Sequence, residues 1–172
     1  KVRQIMDEKN PNLENKDEAA EAVGVGAIVF YYLSNNRIKD INFNMEDALS
    51  YDGNTGPYVQ YTYARTCSVL EKVKEPYTGD ATITCDEEAA LLKILSQYEE
   101  KVLTAIRDYE PSVIARFILD VAAAYNKFYH NCQILSAEDE RVKENRLALT
   151  LAVKTVLGTA LHLICMPTPK KI

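Results

Sequence analysis

Leu49-Ser50-Tyr51-Asp52-Gly53-Asn54-Thr55-Gly56-Pro57-Tyr58-Val59-Gln60-Tyr61-Thr62-Tyr63-Ala64-Arg65 joins a sharp turn to a helix. Asp-Gly-Asn-Thr-Gly-Pro gathers residues that tolerate φ > 0 or fix φ, so the backbone must bend there. Pro57 falls where a helix starts, at a position that needs no amide donor. The helix then carries Tyr58, Gln60, Tyr61, Tyr63 and Arg65 in close succession. Tyrosine rings can stack on bases, glutamine can hydrogen-bond a base edge, and arginine can pair with phosphate. The same residues also suit a helix that buries its tyrosines and leaves their hydroxyls at the rim.

The rest of the 172-residue chain sets bounds on either reading. Hydrophobic residues make up 47% and charged residues 26%, an ordinary balance for a globular protein with one good core or two small ones. No apolar run approaches the roughly 20 residues of a membrane span, and no secretory leader pattern opens the chain. It begins at Lys1 in the middle of a pattern, which reads as a fragment of a longer protein. A net charge of −5 argues against a binder that works through a broad positive field. Before Pro76 there are 9 basic and 12 acidic residues, and from there on 11 and 13, so neither half is basic. Any nucleic-acid contact must be local.

Cys67, Cys85, Cys132 and Cys165 form no CxxC and no small-domain disulfide spacing, and read as reduced thiols suited to the cytosol. His162 with Cys165, and His130 with Cys132, each resemble half a metal site without a second half. Gly24-Val25-Gly26 lacks the third glycine of a dinucleotide fingerprint, since Val29 stands there, and no strand precedes it. Small residues at that place suit close helix packing instead.

Helical periodicity predicts a helix from Asp17 to about Leu33, ended by Ser34-Asn35-Asn36-Arg37. Lys39 to Asn44 alternates as a short strand would, with Ile41 and Phe43 on one face. A helix from Pro57 to about Val73 follows, then a Pro76–Asp80 loop. Thr84 and Glu87 read as a capping box for a helix through Leu91 and Leu95, with a bend near Ser96–Glu100 and helical pattern on to Tyr109. Pro111 opens a helix to about His130 with two apolar stripes. Val113, Phe117, Val121, Ala124 and Phe128 form the core stripe; Ile118, Ala122, Tyr125 and Tyr129 form a second, partly aromatic one. Ser136 with Asp139 caps a final long helix whose wide apolar face, including Leu149, Val153, Leu157 and Leu163, belongs inside a bundle. Gly158 marks a close crossing on it. The expected fold class is therefore mainly all-α.

Read in order, these segments resemble arginyl-tRNA synthetase, a class I aminoacyl-tRNA synthetase family. Ser50, Asp52, Gly53, Asn54, Thr55, Gly56, Pro57, Tyr58, Val59, Gln60, Tyr61 and Arg65 fit the pattern that opens the family's anticodon-binding domain. The Ala-Glu-Ala-Val-Gly-Val-Gly-Ala helix and Leu-Ser-Asn-Asn-Arg fit the end of its catalytic part. Tyr-Asn-x-Phe-Tyr, Arg-Leu-Ala-Leu and the Thr-Pro tail with its basic pair fit its end. The resemblance implies a tail of the catalytic and stem-contact region over 1–48 and a DALR-type helical-bundle anticodon-binding domain over 49–172.

It also implies a partner, tRNA(Arg), and a place in the same polypeptide as a catalytic domain that uses ATP with Mg2+, in the cytoplasm. By matching residues to the family pattern, Tyr125, Asn126 and Tyr129 fall on an anticodon-facing helix. Arg146 approaches from the next helix, and Met166 closes an apolar wall. Tyr58, Gln60, Tyr61 and Arg65 meet the stem or loop backbone. Alternatives stand beside these: Tyr61 and Tyr129 suit a core, and Arg146 can pair with Glu144 or Glu138. Gly53, Asn54 and Thr55 suit a turn better than an RNA contact. Asp7-Glu8, Glu87-Glu88 and Glu99-Glu100 are expected on solvated faces, and the acidic stretch Asp80–Glu88 maps onto no RNA contact.

No His-Ile-Gly-His, Lys-Met-Ser-Lys, P-loop or nucleophile elbow occurs, and no metal or cofactor site is expected in the fragment. The fragment is therefore expected not to activate arginine alone; ATP–pyrophosphate exchange above background would overturn that. A non-catalytic helical module that binds a protein partner through the same tyrosines is the competing class, because Tyr and Arg are also enriched in protein interfaces.

Overall fold

The computed structural model describes Lys1–Ile172 except residues 10, 14, 52, 74–78 and 81, and the side chain of Lys9. The expectations placed on Asp52 and most of the Pro76–Asp80 loop lie outside the described residues. The turn that opens the motif folds as its residues dictate. Gly53 takes φ 89°, in the left-handed region open to glycine. Thr55 caps helix α4 (Gly56–Leu70): the Tyr58 amide donates to its hydroxyl at 3.2 Å, and that hydroxyl donates to the Ser50 carbonyl at 2.5 Å. Pro57 occupies the first turn.

Helix α4 is buried on most sides because three helices pack on it. They are α2 (Lys16–Leu33), α7 (Ser112–Asn131) and α8 (Glu140–Leu163). Val59, Tyr63 and Cys67 join Phe117, Ile118, Val121 and Phe128 of α7 and Val153, Leu157 and Leu161 of α8 in one core. Gly158 lies against the Tyr63 ring, where an added Cβ would stand 3.2 Å from the ring edge, so the expected close crossing is present. Asp139, rather than Ser136, is the N-cap of α8, accepting from the Arg141 amide at 2.8 Å. Leu163, expected on the inner stripe, is 49% exposed at the end of the helix.

Helices α5 (Asp86–Leu95) and α6 (Tyr98–Asp108) cover α7, with the expected break between them. The capping of α5 differs from expectation. Thr84 pairs with Glu88, not Glu87: its amide donates to Glu88 Oε2 at 2.6 Å, and its hydroxyl donates to the same carboxylate. Cys85 is the N-cap, without a side-chain cap bond. At the end of α6, Tyr109 adopts a left-handed conformation (φ 50°), and Arg37 donates to the Asp108 and Tyr109 carbonyls while pairing with Glu110. A cation there answers the negative end of the helix.

Toward the N-terminus, α1 (Val2–Lys9), which the polar opening residues did not suggest, packs on α2 around Met6, Ala19 and Val23. Gly26 and Gly56 let α2 approach α4: a Cβ on Gly56 would lie 2.7 Å from the Gly26 carbonyl oxygen. A single helical turn, α3 (Met45–Ala48), is capped by Asn44. The strand expected over 39–44 does not form; no strand occurs among the described residues. The alternation has another cause. Phe43 stacks on Tyr32 (centroids 5.9 Å apart) and meets Tyr31 edge-on at 5.1 Å, while the Tyr31 hydroxyl donates to the Asn42 carbonyl. Helix α8, contrary to the sequence reading, is long and apolar enough by length and composition to cross a membrane; its packing on α4, α5 and α7 accounts for that composition.

Candidate nucleic-acid interface

Four of the nine residues singled out from the sequence meet on one surface where α4 lies beside α7. Tyr61 and Arg65 are one turn apart on α4, and Asn126 and Tyr129 are one turn apart on α7. The Arg65 guanidinium carbon lies 4.9 Å from the Tyr61 ring centroid and 4.9 Å from that of Tyr129. The cation is thus held between two aromatic faces, an attraction between charge and ring quadrupole. Both tyrosines remain open to solvent, at 44% and 43% exposure.

A chain of hydrogen bonds fixes the cation. Arg65 donates to Asn126 Oδ1, the Asn126 amide donates to Thr62 Oγ1 at 2.9 Å, and Thr62 donates to the Tyr58 carbonyl. Among the described residues no carboxylate pairs with Arg65. An adjoining depression of about 370 Å³ runs past Leu13, Ala64 and Ser68 to Lys171 and Ile172. Lys171 pairs with Glu71 at 3.7 Å, which leaves Arg65 as the cation without an acidic partner among the described residues. Flat rings for stacking beside such an arginine suit a single-stranded loop.

The other five residues are placed differently. Tyr125, expected to face a ligand, is fully buried at 0% exposure, with its ring centroid 6.0 Å from Phe128 and 6.3 Å from Tyr129. Its hydroxyl lies beside Thr150 without a well-formed hydrogen bond, and burial pushes its phenol up. It supports Tyr129 from beneath. Gln60 is likewise enclosed: its amide donates to the Ala22 carbonyl at 3.0 Å and to the Pro167 carbonyl at 2.9 Å, stitching α2 and the tail to α4. Met166 is buried in the main core, and Tyr58 is half-buried against it. Tyr125, Gln60 and Met166 therefore present no free face to a base.

Arg146 pairs with neither Glu144 nor Glu138. It meets Glu88 at 2.7 Å, with both side chains nearly buried, and also donates to the Gln133 carbonyl and Thr84 Oγ1. Glu88 therefore does not sit on a solvated face. Burial pushes its carboxyl up, but the Thr84 amide and Arg146 outweigh that and hold it below the usual value. The neighbouring acids are committed too. Asp80 meets Arg141 and Asn145, which hold it well below the usual carboxylate range, and Glu87 accepts from Asn131 at 2.8 Å. The acidic stretch is thus a clasp on α7 and α8. Thr62 and Lys171 were not anticipated; Lys171 belongs to the basic pair of the tail, and its charge was the available signal.

Comparisons with known proteins give a consistent result. The family described as DALR anticodon binding domain matches residues 59–172. An arginine–tRNA ligase from Halothermothrix orenii is 46% identical over 175 residues, covering all of this chain and 31% of the relative. One from Alkaliphilus metalliredigens is 47% identical with the same coverage. The chain thus spans about a third of the length of the curated relatives it matches. Among solved structures, Thermus thermophilus arginyl-tRNA synthetase superposes with a TM-score of 0.94 at 39% identity, over 99% of this chain and 30% of that one.

Proposed function

Because the chain belongs to the DALR anticodon binding domain family, we propose that it holds the anticodon end of tRNA(Arg) within an arginine–tRNA ligase. The observation that carries this reading is the Arg65 cation clamped between the half-exposed rings of Tyr61 and Tyr129. Loop bases stack on the rings, and Arg65, freed of any acidic partner, meets the loop backbone. This revises the residues assigned from the sequence. Tyr61, Arg65 and Tyr129 contact RNA, and Asn126 orients Arg65. Tyr125, Gln60, Tyr58, Met166 and Arg146 shape and hold the surface.

Affinity comes from a few side chains rather than a basic field, in keeping with a net charge of −5. The residues present do not fit an ATP site. The two class I signatures are absent from the sequence, and the hydroxyl of the Gly-Asn-Thr turn is committed to Ser50 and Tyr58. Aminoacylation, with ATP and Mg2+, falls to a catalytic portion of the same polypeptide, acting in the cytoplasm. On its own the chain gives only background ATP–pyrophosphate exchange; turnover above that would contradict this division of labour.

Substitution tests the clamp. Tyr129→Ala and Arg65→Ala should each weaken binding to a tRNA(Arg) transcript roughly tenfold or more, on the scale of about 1–3 kcal/mol per stacked base. For Tyr129→Ala, helical content and melting temperature should hardly change, because that ring is 43% exposed. Unchanged affinity in both variants would remove the clamp from the interface.

A further inference from the structure

Cys85 and Cys132, 47 residues apart in sequence, bring their Sγ atoms to 3.1 Å of each other. A disulfide needs about 2.05 Å, so roughly an ångström of closure separates the two states. Each thiol sits at the end of a helix: Cys85 is the N-cap of the ten-residue α5, and Cys132 is the C-cap of the twenty-residue α7. Both backbones are extended there, at the last bonded positions of their helices. Cys85 is half-buried and Cys132 is buried, so Cys85 is the more accessible of the two. The charged groups around them are Arg146, Glu88 and Glu87.

We propose that Cys85 and Cys132 form a dithiol–disulfide pair that a small-molecule disulfide, of the glutathione class, converts between its two states. Cys85 is the attacking sulfur because it is the more accessible of the two. Its thiolate attacks glutathione disulfide, forming a mixed disulfide and releasing one glutathione thiolate. Cys132 then loses its proton to solvent and attacks Cys85 Sγ, forming the internal bond and releasing the second glutathione. Two protein thiols are oxidised and one glutathione disulfide is reduced to two glutathiones. Burial and the adjacent Cys85 push the Cys132 thiol up to about 12, which keeps it from reacting with the external disulfide first.

The same cluster does not suit a divalent cation. Glu88 could offer a third ligand, but its carboxylate already accepts from Thr84 and Arg146, and the guanidinium would repel the metal. The pair is independent of the Tyr61–Arg65–Tyr129 surface, so its test does not depend on RNA binding.

The test incubates the purified protein in glutathione redox buffers, quenches with an alkylating agent and maps the peptides. A Cys85–Cys132-linked peptide should accumulate, leaving Cys67 and Cys165 titratable. The melting temperature should rise by about 5–15 °C, as closing a loop of this length in the unfolded chain implies. Cys85→Ser should abolish both the link and the shift, and Cys165→Ser should leave both intact. Cys132→Ser should trap glutathione on Cys85. Oxidation that modifies only Cys165, or that leaves glutathione on Cys85 in the unsubstituted protein, would overturn the proposal.

Discussion

Tyr125→Ala should lower the unfolding free energy by about 3–5 kcal/mol, the range for truncating a large aromatic in a core. The ring is fully buried and packs against Phe128 and Tyr129, with α4 and α8 closing around it. Its removal leaves a void that neighbours on three helices cannot fill together. Tyr125→Phe makes the complementary case. The hydroxyl gains no well-formed hydrogen bond in the fold, so deleting it should cost little or slightly stabilise. Urea denaturation of the two variants checks both. A Tyr125→Ala protein of normal stability with selectively lost tRNA affinity would return Tyr125 to the set of base-stacking residues.

Arg146→Leu should be comparably severe, about 3–5 kcal/mol, because it strips the partner from a nearly buried carboxylate. Glu88 would keep only the Thr84 amide and hydroxyl, and the Gln133 carbonyl would lose its donor. The pH dependence distinguishes this from simple packing loss. In the native protein the Glu88 carboxyl is lowered, so its contribution is present above the unfolded carboxylate value and fades as pH falls through the folded one. Without Arg146 the Thr84 amide and hydroxyl still oppose burial, but the carboxyl rises from its native position. The ionised carboxylate then contributes less stability than it does in the native protein. The variant's deficit against the native protein should therefore be largest near neutrality and shrink toward pH 4. A deficit independent of pH would mean the pair contributes through packing alone.

The helical architecture was legible because its signals are local. Pro57 marks the start of α4, Pro111 marks the start of α7, and the stripes on α7 and α8 point inward. What the sequence hid was the side on which each polar or aromatic residue finishes. Tyr125 and Tyr129 are four apart on one stripe, yet one lies inside the bundle and the other on its surface. Both stripes of α7 are buried where α4, α5 and α8 surround it, so periodicity alone cannot separate them.

Gln60 misleads for a related reason. A polar residue between tyrosines reads as exposed, but Gly26 leaves a space that its amide fills; a Cβ there would lie 2.4 Å from Gln60 Nε2. The Arg146–Glu88 pair joins residues 58 apart in the chain, and the Cys85–Cys132 contact joins residues 47 apart. Neither leaves a local trace. The Tyr61–Arg65 half of the clamp, by contrast, was visible as an aromatic and a cation one helical turn apart, and only its second ring required the fold.

The central claim is that this chain holds an anticodon loop through the Tyr61–Arg65–Tyr129 surface. Its most direct test is the affinity of the protein for a tRNA(Arg) against the same RNA with the middle anticodon nucleotide made abasic, which removes a ring available for stacking, at one fixed moderate salt concentration. The account predicts tighter binding to the intact anticodon by roughly tenfold or more, on the stacking scale of single-strand recognition. Equal affinity for the two RNAs would contradict it.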